Sequence, residues 1–213
     1  LLLTGANVAV TDAGAVDLGA STVSGTLGIT SAGAVTDSGT LAITGATTIS
    51  ASGQDITLDE SASTFGTLAL TGENVAVTEN AATDLGASTV GGTLGITSAG
   101  AVTDSGTLAV TGATTISASG QDITLDESAS TFGSLLLTGA NVAVTDAGAV
   151  DLGASTVGGT LGITSAGAVT DSGTLAITGA TTISASGQDI TLDESASTFG
   201  TLALTGENVA VTD

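Results

Sequence analysis

The 213-residue chain carries 21 Asp and Glu but no Lys, Arg or His, a formal charge of −21, and it lacks Cys, Met, Pro, Trp and Tyr. With no cation to meet a phosphate, nucleic-acid backbones and anionic membranes are repelled, and without Cys there are no disulfides, thiolate zinc sites or cysteine nucleophiles. A hydrophobic content of 41% argues for folding despite the charge, and no signal peptide or membrane-spanning run is legible even at a mean hydropathy of +0.54.

Taken in order, residues 1–25 are the end of a unit written in full over 26–92, again over 93–159, and in part over 160–213. Thr26-Leu27-Gly28-Ile29-Thr30 thus returns at Thr93 and Thr160, a 67-residue period. A fixed period of this length is the mark of stacked repeats. Residues 26–92 and 93–159 differ at eight positions, among them Ile43/Val110, Ala69/Leu136 and Glu73/Ala140. A shift of two units does better. Residues 1–79 and 135–213 differ only at Ser24/Gly158 and Glu79/Asp213, so the duplicated block has 134 residues.

Within 26–92 apolar residues alternate with small or polar ones at Leu27/Ile29, Leu41/Ile43, Ile56/Leu58, Leu68/Leu70 and Val75/Val77. Period two over four or five residues predicts strands, and no stretch keeps a helical period. Nine strands are expected, over 26–30, 33–36, 40–44, 47–50, 55–58, 65–70, 74–78, 83–86 and 88–91. Glycines such as Gly25, Gly39 and Gly66 read as corners supplying backbone angles that residues with a Cβ avoid.

Short strands, short corners and no proline fit an all-β parallel β-helix, one continuous solenoid over 1–213. An antiparallel sandwich fits less well, because it closes after seven or so strands. Three sides per rung make the unit three rungs of about 22 residues, and ten rungs a rod about 45 Å long. Leu41, Ile43, Ile56, Leu58 and their +67 equivalents are expected in the bore, with Thr40, Thr44, Asp55 and Thr57 outside. Equivalent acids such as Asp55, Asp122 and Asp189 would then sit about 14 Å apart on one side, beyond the Debye length of about 8 Å.

The acids are the remaining chemistry. Asp55 and Asp59, about 13 Å apart on one strand face and without aromatic company, do not make a glycosidase pair. The chain is not expected to be an enzyme. Calcium is the better candidate: Asp59-Glu60, Asp126-Glu127 and Asp193-Glu194 recur at strand ends, and spacing allows a column of Asp37, Asp59 and Asp84. Against it, acids at turns commonly serve as turn formers, and no calcium-loop signature occurs. Phe65, Phe132 and Phe199 are expected to plug the bore before a corner glycine. Outward Thr could instead line an ice-binding face. The Thr of the Gly-Thr-Leu phrases, at 26, 40, 67 and 93, are however spaced by 14, 27 and 26 and do not recur once per rung.

The phrases Gly39-Thr40-Leu41-Ala42-Ile43-Thr44-Gly45-Ala46-Thr47-Thr48-Ile49 and Gln54-Asp55-Ile56-Thr57-Leu58-Asp59 resemble the repeats of very large bacterial surface proteins, the filamentous-haemagglutinin-like adhesins and related β-strand-repeat exoproteins. The resemblance covers the whole chain in style. It implies a right-handed β-helix, export, extracellular display on the bacterial cell surface and a stalk or adhesive role, with no residue-level function carried over. The strand edges at Leu1 to Val10 and Val209 to Asp213 would meet flanking repeats of a longer chain, or stack end to end with a second copy.

Overall fold

The computed structural model describes residues 1–212, so Asp213, the last residue of the expected terminal edge, lies outside them. Among the described residues there is no helix, and every strand pairing is parallel. All nine strands expected in the first full unit are present, displaced by no more than two residues, the largest shift being Thr67–Gly72 against 65–70. No helix is long and apolar enough to cross a membrane, which does not bear on spanning by strands.

Two broad sides run the length of the rod. On one, Val8–Asp12, Leu27–Ser31, Thr47–Ser50 and Thr67–Gly72 follow one another in parallel register. On the other the sequence is Val16–Leu18, Val35–Asp37, Ile56–Leu58, Val75–Glu79 and Leu94–Ser98. A short third side, Thr4–Gly5, Ser21–Val23 and Leu41–Ile43, completes each turn. Ten successive registers lead from Val8–Asp12 to Thr198–Thr205, giving about ten turns and a length of about 48 Å.

The pitch corrects the expectation of three rungs per unit. Three registers carry Val8 to Leu68 and a fourth carries it on to Leu85, whereas its sequence equivalent, Val75, pairs with Ile56 and Leu94 on the opposite broad side. A 67-residue unit therefore makes three and a half turns, and successive units are related by half a turn. Seven registers carry Val16 to Leu152, two residues beyond its 134-residue equivalent Val150. The 134-residue block is a whole number of turns. Asp55 and Asp122 consequently lie on opposite sides, and like acids on one side recur only after seven turns, about 34 Å, so their repulsion is smaller than three rungs would leave it.

Half a turn is gained because the third side moves. After Leu41–Ile43 it shrinks to a single bridge, Ala42 to Thr64, and ends. On the next turn the six-residue strand Thr67–Gly72 faces two short strands: Thr67 and Leu68 pair with Thr83–Leu85, Thr71 and Gly72 with Ser88–Val90. Ser88–Val90 and Leu108–Val110 are the third side of the turns that follow, at the opposite corner. Backbone groups stranded by this change are met by side chains. Leu41 N–H donates to Ser63 Oγ at 2.9 Å, and Leu70 N–H, facing the new corner, donates to Ser88 Oγ at 3.0 Å.

Leu41, Ile43, Ile56 and Leu58 and the equivalents Leu108, Val110, Ile123 and Leu125 are buried, and Thr40, Thr44 and Asp55 are exposed, as expected; Thr57 is half-buried. Phe65 and Phe132 are buried, and Phe199 packs against the core. The glycine reading needs correction. Among the described residues, positive φ occurs only at Gly53, Gly120 and Gly187, in the Ser-Gly-Gln turns. Corner glycines are required by close stacking instead: a Cβ on Gly66 would lie 2.5 Å from the Gly45 carbonyl oxygen, and one on Gly45 would lie 2.6 Å from that of Gly25.

Thr47, Thr114 and Thr181 point inward, and their hydroxyls are buried without a partner. An unpaired buried hydroxyl costs free energy that an isosteric methyl does not. Thr47→Val is therefore expected to stabilise by about 1 kcal/mol in chemical denaturation; a loss of stability would show that the hydroxyl is satisfied in solution.

Candidate functional site

Several acids project from corners or strand faces and are held by hydrogen bonds from neighbouring turns. Asp55 Oδ1 accepts Asn74 Nδ2–H at 2.9 Å, and Asn74 Oδ1 accepts both the N–H and the hydroxyl of Thr93 at 3.1 Å, so an exposed corner is laced over three turns. Asp122, Asn141 and Thr160 repeat it. Asp84 accepts the hydroxyls of Thr67 and Ser105, each at 2.8 Å.

The calcium candidates are only partly brought together. Asp59 is exposed and Glu60 half-buried, and the Asp59 N–H donates to Asp37 Oδ1 at 2.9 Å. Asp126 and Glu127 donate their N–H groups to Asp104 at 2.9 and 3.4 Å, and Asp193 donates to Asp171 at 2.8 Å. The buried Asp therefore caps the turn that opens with Asp59-Glu60, Asp126-Glu127 or Asp193-Glu194. Asp84 is absent from the expected column because the half-turn places it opposite Thr67 and Thr103. Among the described residues no group of three or more potential ligands is close enough to hold a metal ion.

Sequence reasoning missed the buried acids. Asp37, Glu79, Asp104 and Asp146 lie at inward positions, Glu79 and Asp146 only 2% exposed. Burial pushes all four carboxyls above the ordinary carboxylate range, against backbone N–H donors that pull the other way. Neighbouring acids add to the rise at Asp37 (Asp59, Glu60) and at Asp104 (Asp126, Glu127). Glu79 and Asp146 stand where the third side ends. Phe65 N–H, left without a strand on the next turn, donates to Glu79 Oε1 at 2.8 Å, and Phe132 N–H donates to Asp146 Oδ2 at 3.0 Å. The carboxyl replaces a missing backbone carbonyl. The signal was available, because Val75, Val77 and Glu79 share one phase of the alternation.

The Thr residues of the Gly-Thr-Leu phrases do not form one rank, in agreement with their spacing, but the structure reveals another set that does. Thr11, Thr30, Ser50 and Thr71 lie in register on successive turns, beside Ala9, Gly28, Thr48 and Ala69. Thr78, Thr97, Ser117 and Thr138 repeat the rank on the opposite side. The broad faces are thus uncharged for four turns at a time, with a shallow depression over Gly28 between Ala9 and Thr48.

This geometry coincides with a known repeat. A family described as repeats of unknown function (DUF5649) matches residues 5–71, 72–138 and 139–206, nearly the whole chain. The chain belongs to that family. Its second and third copies begin at Gly72 and Gly139, the last residues of the strands Thr67–Gly72 and Ser134–Gly139, opposite which the third side re-forms. No curated protein and no solved structure matches the chain.

Proposed function

We propose that these repeats form a structural spacer: an acidic, stiff segment of an exported bacterial surface protein, a stalk or filament whose function is its length. The observation that carries this reading is the closure of the 134-residue block after seven turns, which lets the array grow while returning each side chain to the same side. Acids on corners and strand faces, alternating with uncharged stretches of four turns, and the absence of any basic residue support solubility at high length. Exposed large apolar side chains are confined to Leu1, Leu2, Leu202, Val209 and Val211 at the two ends, where further turns or the end of a second copy would cover them.

Insertion of one 134-residue block is expected to lengthen the rod by about 34 Å in small-angle scattering, with no loss of protease resistance. Antibody to the rod is expected to label intact cells of its source. Labelling only after permeabilisation, or a compact shape that does not lengthen, would overturn the proposal.

A further inference from the structure

Glu79 is unlike its sequence equivalents, since positions 12, 146 and 213 carry Asp. Asp146 has a donor for each oxygen, Phe132 N–H on Oδ2 and Gly148 N–H on Oδ1 at 2.5 Å. Glu79, one methylene longer and followed by Ala81 in place of Gly148, has Phe65 N–H on Oε1, while Oε2 is buried without a partner. Thr83 lies beside it, and a hydrogen bond from its hydroxyl would favour the ion, but that hydroxyl donates its proton to Ser98 Oγ at 2.9 Å instead.

We propose that Glu79 makes the joint between the first and second family copies, residues 5–71 and 72–138, a pH-responsive hinge: protonated, its carboxyl seals the end of the third side, and ionised, it lets the segment around Phe65 open. The groups facing it are Thr83 on its own segment, Ser98 in register on the next turn, and Ser63 and Phe65 on the preceding one, all uncharged. Asp59 and Glu60, which follow the strand beneath, are turned by their N–H groups toward Asp37. No Lys, Arg or His exists to neutralise the ion. An unpaired buried carboxylate oxygen is costly, whereas the neutral acid gains a donor that Thr83 Oγ can accept. Burial lifts this carboxyl above its ordinary value, so the closed joint holds the proton more tightly than the open one. Closure is complete below the ordinary value and weakens as pH rises through the raised one. Because each turn of a solenoid contacts only its neighbours, opening here need not unfold the rod.

The test is amide exchange at Phe65 and Phe132 in the full chain, expressed as protection relative to the intrinsic rate, at pH 3.5 and 7.5. Phe65 is expected to lose protection severalfold between the two, and Phe132 less. Glu79→Gln, which keeps the acceptor for Phe65 N–H, should make Phe65 protection independent of pH. The quadruple variant E79D/N80A/A81G/T83V, which rebuilds the Asp146 joint and so has a sequence already folded in this chain, should give Phe65 the behaviour of Phe132. Equal pH dependence at the two amides in the parent, or dependence at Phe65 that survives Glu79→Gln, would overturn the hinge.

Discussion

Gly66→Ala is expected to lower stability by about 2–3 kcal/mol and to create a protease-sensitive point in the middle of the rod, although it adds a single methyl group. The added Cβ would meet the carbonyl oxygens of Gly45 at 2.5 Å and Thr44 at 2.6 Å, contacts that only a backbone shift can relieve. The neighbours on one side cannot yield, because Gly45 itself stacks on Gly25 with the same lack of room. Gly53→Ala is the informative comparison. No atom lies within 4 Å of a Cβ there, and φ is 69°, so the cost is the left-handed conformation alone, about 1–2 kcal/mol. Denaturant midpoints of the two variants separate crowding from conformational strain. A Gly66→Ala chain as stable as the parent would mean that stacked corners are looser than the structure shows.

The strands were legible in the sequence because burial is decided by neighbours two residues apart, and Leu41/Ile43 or Val75/Val77 carry that information locally. The rotation between units was not, because register depends on corner length and on where the third side ends. Thr64 and Thr67–Gly72 look like ordinary strand residues until their partners on the next turn are known. One clue was present. A block of 134 residues copied with two changes, where 67-residue units differ at eight, is what a rod returning to the same side after two units would show. The buried acids were legible as well, had the alternation been followed through them: Asp37 is in phase with Val35, and Glu79 with Val77. Charge prompted the assumption of exposure, and the stranded N–H groups of Asp59 and Phe65, visible only in the fold, supply the reason for burial. The spacing of Asp37, Asp59 and Asp84 misled for the complementary reason, since it presumed a rung of constant length in a chain whose registers step by 17 residues at Asp84 and by 22 at Asp59.

Acidification is expected to stabilise the whole rod, the reverse of ordinary acid denaturation. In most proteins the native state holds carboxylates ionised beside cations, and protonation removes that attraction. Here the chain has no basic side chain, and four carboxyls, Asp37, Glu79, Asp104 and Asp146, are held above the ordinary 3.8 of Asp or 4.5 of Glu by burial. The folded state therefore binds more protons than the unfolded state across the interval between the ordinary and raised values. Stability is fully present below the ordinary values and declines as pH climbs through the raised ones. Self-repulsion among 21 acids in a compact rod acts in the same direction. Salt separates the two contributions, since it screens exposed charges but not the desolvation of buried ones. The melting temperature is expected to rise between pH 7.5 and 3.5, and to keep much of that rise in high salt. Paired Asp37→Asn and Asp104→Asn substitutions, which retain an acceptor for Asp59 and Asp126, should raise the neutral-pH melting temperature and flatten the profile in salt. A melting temperature that falls on acidification would show that these carboxyls are ionised and well solvated in the native rod.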